Sequence, residues 1–229
     1  MEQAFIAQLE IGFDSIKDSQ RAFKMSQYMK NKFEFFGIAS QPRKEVYLKW
    51  KKELPKKMSS EDKWNLIYEL WSKEEREFQY AAVDWLNSWN KSDFSESGFT
   101  HIKFLISNKS WWDTVDLIAS NYLGKLAQLH SDKILEVIEE WSEDKCFWLH
   151  RATIIYQLKY RDKVDLETLS KQIIRFKSNK EFFIQKAIGW ALREVAKSNP
   201  EWVINFVETN AIIGLAKREA FKHYKTFVI

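Results

Sequence analysis

The segment KSWWDTVDLIAS, Lys109 to Ser120, sets two indoles beside two carboxylates inside an otherwise helical pattern. Ser110 and Asp113 have the spacing of a capping box, in which a hydroxyl and an acid satisfy the orphan N–H groups that open a helix. Capping accounts for Asp113. Asp116 lies one turn further in, beyond the reach of the cap. It stands one i,i+4 step from Trp112, so the two share a helix face, while Trp111 is rotated about 100° away and points into the core. An indole and a carboxylate on one face offer a cationic group both an electron-rich ring and a full negative charge. The competing account is an inward acid tied to a neighbouring arginine or backbone amide, the commoner fate of an isolated aspartate.

Other chemistry-bearing residues recur at a fixed distance. The segments REFQYAAVDWL, WLHRATIIYQL, FIQKAIGWALR and AKREAFKHY align on Ala81, Ala152, Ala187 and Ala220, separated by 71, 35 and 33 residues. A period near 35 residues is one helix pair, so the pattern predicts an α-solenoid of the HEAT or armadillo kind. Halving the first gap predicts a further repeat near position 116, where Asp116 takes the place of a small residue. Arg151 and Lys186 each stand one position before their alanine, and Trp190 follows Lys186 at i,i+4. Stacked repeats bring equivalent positions into a row, so Asp116, Arg151 and Lys186, with Trp112 and Trp190, are expected along one concave groove. Arg43, Lys44, Lys159, Arg161, Arg193, Lys217, Arg218 and Lys222 are placed to line the groove or its ends. A basic groove of duplex width binds phosphates with salt-sensitive affinity. Against this, lysines on helices are mostly solvated, and Arg151 and Lys186 also suit inter-helix salt bridges.

Helices must carry these residues. Gly (6) and Pro (3) are too scarce for the many turns of an all-β chain of 229 residues. Ser72 with Glu75 and Ser178 with Glu181 repeat the capping-box spacing, and Asn199 with Pro200 reads as a cap followed by a first helical residue. Ile134, Val137, Ile138 and Trp141 show helical periodicity. No alternating strand is evident. The polar stretch NKSDFSESG, Asn90 to Gly98, is short, and the chain reads as a single domain over 1–229.

Several classes are set aside. The single cysteine, Cys146, allows no intrachain disulfide and reads as a small core residue. The N-terminus lacks a basic n-region, no apolar run reaches the roughly 18 residues of a membrane helix, and a cytoplasmic setting is expected. His101, His130, His150 and His223 show no metal-ligand spacing, so no metal and no cofactor are expected. There is no P-loop, no GxGxxG and no helix-turn-helix. The net charge of +4 is a weak pointer to a polyanion, whereas 11 Trp, 17 Phe and 8 Tyr leave aromatics available for contact.

The chain resembles the AlkD-like DNA alkylation repair proteins, the HEAT-like-repeat DNA glycosylases. The resemblance is carried by YMKNKFEFFGI, LWSKEEREFQYAAVDWL, NKSWWDTVD, WLHRATIIYQLKY, SNKEFFIQKAIGWALREVAKSNP and the closing KREAFKHY, over nearly the whole chain. It implies about six HEAT-like repeats and hydrolysis of the N-glycosidic bond of cationic alkylpurines, typically N3-methyladenine and N7-methylguanine, in duplex DNA. It also implies capture of the lesion without base flipping. The catalytic acid would be Asp116, the flanking aromatics Trp112 and Trp190, and the basic member Arg151, which would hold a phosphate and keep Asp116 ionised. Tyr28 and the N-terminal helices match a part that holds DNA; Arg43, Lys159, Lys186, Arg193 and Arg218 are the basic DNA-binding candidates. A monomer is expected. The alternatives are a non-catalytic DNA-binding solenoid and a protein-binding one.

Overall fold

The computed structural model describes residues 2–222; His223 and the end of KREAFKHY lie outside them. The described residues form helices and no β-strand, with an isolated bridge between Glu34 and Glu75. The chain divides into two compact units, Met1–Asp93 and Phe94–Ile229.

The first unit holds α1 (Glu2–Asp14), α2 (Ser19–Tyr28), α3 (Ser40–Glu53), α4 (Ser60–Ser72) and α5 (Arg76–Leu86). Helix α1 packs on α3 and α4, and α5 on α3 and α4. Leu9, Phe13, Leu66, Ile67, Leu70 and Phe78 are fully buried between them. The Phe13, Phe36 and Phe78 rings form a mutual cluster with centroids 5.6–5.8 Å apart. None of the residues of α2 is fully buried.

The second unit holds α6 (Gly98–Ser107), α7 (Trp112–Leu117), a π-helical turn (Ile118–Leu123), α8 (Gly124–Leu129), α9 (Ser131–Glu143), α10 (Phe147–Ile155), α11 (Leu166–Phe176), α12 (Phe182–Ala196), α13 (Pro200–Thr209) and α14 (Gly214–Ala220). Helices α7, α10, α12 and α14 pack each against the next, while α9 and α11 meet α10 and α13 meets α12. Side-chain bonds repeatedly span one sequence period. Asp116 joins Arg151 at a separation of 35, Gly124 joins Tyr160 at 36, Glu139 joins Arg175 at 36 and Lys177 joins Asn210 at 33. The aligned alanines Ala81, Ala152, Ala187 and Ala220 are all buried, none more than 1 % exposed. Their small side chains let neighbouring helices approach closely.

Helix starts correct three sequence expectations. The hydroxyl of Ser72 donates to the Glu69 carbonyl at the end of α4, and that of Ser110 to the Ile106 carbonyl at the end of α6. Ser178 lies in the turn after α11, and the cap of α12 is Glu181, which accepts from the Phe183 N–H. In the first two cases the serine closes the preceding helix instead of opening the next, a distinction that the S-x-x-E/D spacing does not carry. A reciprocal capping box occurs at Ser59 and Asp62, opening α4. Asn199 caps α13 with Pro200 in its first turn, as expected. Cys146 is only partly buried, as the residue preceding α10.

Candidate active site

The position of Asp116 is set by how α7 begins. Lys109 adopts a left-handed φ of 49°, which turns the chain sharply after α6. Trp111 is then extended and only 7 % exposed, its ring 5.2 Å from Phe183 and 5.7 Å from Trp148. Anchoring this indole fixes the first turn of α7. Asp113 remains a helix-opening residue, since its carboxylate accepts the Thr114 N–H at 3.0 Å where the helix dipole favours an anion. One turn on, Asp116 meets α10.

There, Arg151 grips Asp116 in a two-pronged pair, with Nε donating to Oδ1 at 2.7 Å and Nη2 to Oδ2 at 2.8 Å. A third donor, Nη1, reaches the Phe183 carbonyl at the start of α12. One guanidinium thus ties α7, α10 and α12 together. The Arg151 side chain is 5 % exposed and that of Asp116 is 15 % exposed, so the negative end of the pair lies nearer to solvent. A carboxylate has about four lone-pair sites. Arg151 uses two, leaving acceptors for a further ligand. Burial pushes the Asp116 carboxyl above the ordinary aspartate range, against the pull of the Arg151 hydrogen bonds and charge. Immediately after Asp116 the helix widens into the π turn Ile118–Leu123, an irregularity common at functional sites.

Trp112 and Trp190 are both partly exposed, on α7 and α12 respectively. Trp112 shares the Asp116 face of α7, as expected. Trp190 lies two turns beyond Phe183 on the same face of α12, the helix that receives the third Arg151 bond. Phe183 is a site residue that the sequence reading passed over. Its carbonyl holds Arg151, its ring centroid is 6.0 Å from the guanidinium carbon, and it packs on Trp148 at 4.9 Å. The signal available was the helical spacing of Phe183 and Trp190.

The row of basic residues divides. Lys186 does not reach Asp116; it pairs with Glu219 of α14 at 2.9 Å, and Arg193 grips the same carboxylate at 3.0 Å. These two cations hold the Glu219 carboxyl below its ordinary range. Between them Gly189 lets the helices touch, since a Cβ there would lie 2.4 Å from Glu219 Cβ and 2.7 Å from the Ala216 carbonyl. Gly189→Val is therefore expected to destabilise the fold by about 2 kcal/mol or more through overpacking. A lowered urea midpoint with unchanged slope would report it, and an unchanged midpoint would contradict it.

In the first unit, Arg43 pairs with Asp84 at 2.9 Å and lies 4.9 Å above the Tyr80 ring. Tyr28, the last residue of α2, is 72 % exposed. In the second unit, Lys159 donates to the Asn121 side chain, while Arg218 is exposed. Among the described residues no cluster of His, Cys, Asp and Glu is arranged to hold a metal ion, and no helix is long and apolar enough to cross a membrane.

Residues 9–224 match the family described as DNA alkylation repair enzyme. A solved structure described as a predicted DNA alkylation repair enzyme from Enterococcus faecalis is 34% identical in sequence. It superposes with a TM-score of 0.81 over 90% of this chain and 96% of that one. No curated protein matches the sequence.

Proposed function

Because this chain belongs to the DNA alkylation repair enzyme family, we propose that it is a DNA glycosylase. It hydrolyses the N-glycosidic bond of cationic alkylpurines such as N3-methyladenine and N7-methylguanine in duplex DNA. The observation that carries this reading is the Asp116–Arg151 pair, a largely buried carboxylate held in one orientation with its negative end toward solvent and acceptor sites to spare.

The chemistry follows from charge. An alkylated purine with a formal positive charge is already a good leaving group and needs no general acid. The C1′–N bond breaks with its electron pair passing to the base, which departs neutral. The positive charge moves to the deoxyribose as an oxocarbenium-like centre. Asp116 stabilises that charge, more strongly where the local dielectric is low. Water then adds at C1′ and releases a proton, for which the remaining Asp116 lone pairs are an acceptor, leaving an abasic site. Arg151 is buried and has three donors engaged, so its part is to orient Asp116, in place of the phosphate contact that the resemblance implied. Trp112 and Trp190 present electron-rich faces to the cationic nucleotide. The row α7, α10, α12, α14 and the period-spanning bonds support a HEAT-like groove as the DNA seat. The partial exposure of Asp116 supports capture of the lesion at the surface, without base flipping.

The test is base release. Methylated duplex DNA is incubated with the protein and freed bases are separated by chromatography. Release of N3-methyladenine or N7-methylguanine is expected. Salt-dependent duplex binding without release would instead establish the non-catalytic DNA-binding alternative. Trp112→Ala and Trp190→Ala are each expected to slow single-turnover release by about 2- to 30-fold, the size of a cation–π contact of ~0.5–2 kcal/mol. Unchanged rates in both would remove the indoles from the mechanism.

A further inference from the structure

Glu77 is fully buried in the first turn of α5. Burial raises its carboxyl above the ordinary glutamate range, against the pull of backbone hydrogen bonds. Its carboxylate accepts three consecutive backbone N–H groups, from Phe36 at 3.1 Å, Gly37 at 3.0 Å and Ile38 at 3.1 Å. Gly37, at a left-handed φ of 83°, lets the three amides converge on one anion. The α5 dipole adds to the same attraction. Burying a carboxylate costs several kcal/mol before such compensation, so an apolar residue would serve the core at lower cost. The acid therefore has another task, and the 33–38 segment that it grips shows which.

That segment is what holds α2. The Asp18 N–H donates to the Phe36 carbonyl at 2.9 Å, the Arg21 guanidinium to the Gly37 carbonyl at 3.2 Å, and the Ser26 hydroxyl to the Phe33 carbonyl at 2.9 Å. Gly37 lies so close that a Cβ there would be 2.1 Å from the Asp18 carbonyl and 2.5 Å from the Ala22 nitrogen. Arg76, beside Glu77, completes the grip. Its N–H donates to the Glu34 carbonyl at 2.9 Å and its guanidinium lies 3.9 Å above the Phe33 ring. Helix α2 buries no residue of its own, so these contacts set its place. What α2 and the turn after it present is suited to a polyanion. Ser19 to Lys32 contain Arg21, Lys24, Lys30 and Lys32 and no acid, and Phe23 and Tyr28 are 64 % and 72 % exposed.

We propose that Glu77 is a positioning residue for DNA binding: with Arg76 it fixes the 33–38 segment, and through it α2, so that Lys24, the exposed rings and the lysines of the turn after the helix are presented to the duplex backbone. The proposal rests on the reading that the chain binds DNA, but not on base release. Glu77 touches no DNA and no reacting atom; it acts through α2.

Two variants break the clamp from opposite sides, Glu77→Gln by removing the charge and Gly37→Ala by forcing the Asp18 backbone away. Binding to an unmodified fluorescent duplex is followed by anisotropy across a salt series, and α2 mobility by hydrogen exchange. Each variant is expected to speed exchange in α2 while α4 retains its protection. Each should also flatten the slope of log affinity against log salt by about two, the loss of two phosphate contacts at ~0.9 each. On methylated duplex the variants should raise the DNA concentration needed for half-maximal rate and leave the rate at saturation within about two-fold, whereas a general loss of folding lowers the saturating rate. Lys24→Ala should weaken binding in the wild type and add nothing in Glu77→Gln, because non-additivity marks a shared element. Wild-type affinity and slope in both variants would overturn the proposal, as would weakened binding with α2 exchange unchanged. Wild-type protein that binds duplex but releases no base would overturn the glycosylase reading alone. Base release with unaltered binding by Glu77→Gln would overturn this one alone.

Discussion

Asp116→Asn is expected to slow single-turnover base release by about 10²–10³-fold, on the order of 3–4 kcal/mol of transition-state stabilisation, while duplex affinity changes little. Asparagine keeps the shape and one acceptor for Arg151 but has no charge to set against a developing sugar cation. Chromatographic base release under single-turnover conditions measures it, and a rate within a few-fold of wild type would remove Asp116 from the chemistry. The pH dependence has a definite sign. Burial raises the Asp116 carboxyl above the ordinary aspartate range. As pH falls through that raised value the carboxylate takes a proton and the rate falls; above it the rate is level. Stability runs the other way. Between the ordinary value and the raised one, the folded chain keeps a proton that the unfolded chain has lost. The Asp116 contribution is therefore full below this window and declines as pH rises across it.

Arg151→Met is expected to be the most destabilising single change at the site, by about 3–5 kcal/mol. It leaves the Asp116 carboxylate buried without its partner and the Phe183 carbonyl without its donor. The three helices joined by one guanidinium lose their common tie. Base release should fall with it, because the carboxylate then gains more by binding a proton than by staying charged. The double variant Asp116→Leu with Arg151→Met should regain most of the stability, since neither charge remains to be desolvated, and none of the activity. Urea denaturation of the single and double variants measures the coupling. Equal stability losses in Arg151→Met and the double variant would show that the pair carries no ionic coupling.

Much of this site was legible in the residues. The 35-residue spacing carried the largest part, because it set Asp116 and Arg151 in one row, and the two are bonded. The same spacing accounts for Lys186, which suited either a groove or an inter-helix salt bridge: Glu219 stands 33 residues on, one position before Ala220, and the two are bonded. Spacing does not tell which of two nearby partners a polar group takes. The serines failed for this reason. A hydroxyl near a helix boundary satisfies a carbonyl behind it as readily as an amide ahead, and Ser110 took the Ile106 carbonyl. Glu77 gave no signal at all. Its ligands are backbone amides of Phe36 to Ile38, and backbone groups are the same in every sequence.

The Asp116–Arg151 pair resolves an apparent contradiction in an acid assigned to act on a polyanion. A lone carboxylate in a binding surface repels every phosphate that approaches. Joined to a guanidinium, it sums to zero, and a dipole's field dies away faster with distance than that of a net charge. Beyond about 8 Å, the physiological Debye length, a passing strand senses no repulsion from the pair. At contact the balance changes, because the more exposed end is the negative one. On the proposed reading, the acid would thus be invisible at long range to a duplex and strongly felt only by a cation that touches it, a short-range detector of positive charge on an otherwise negative polymer.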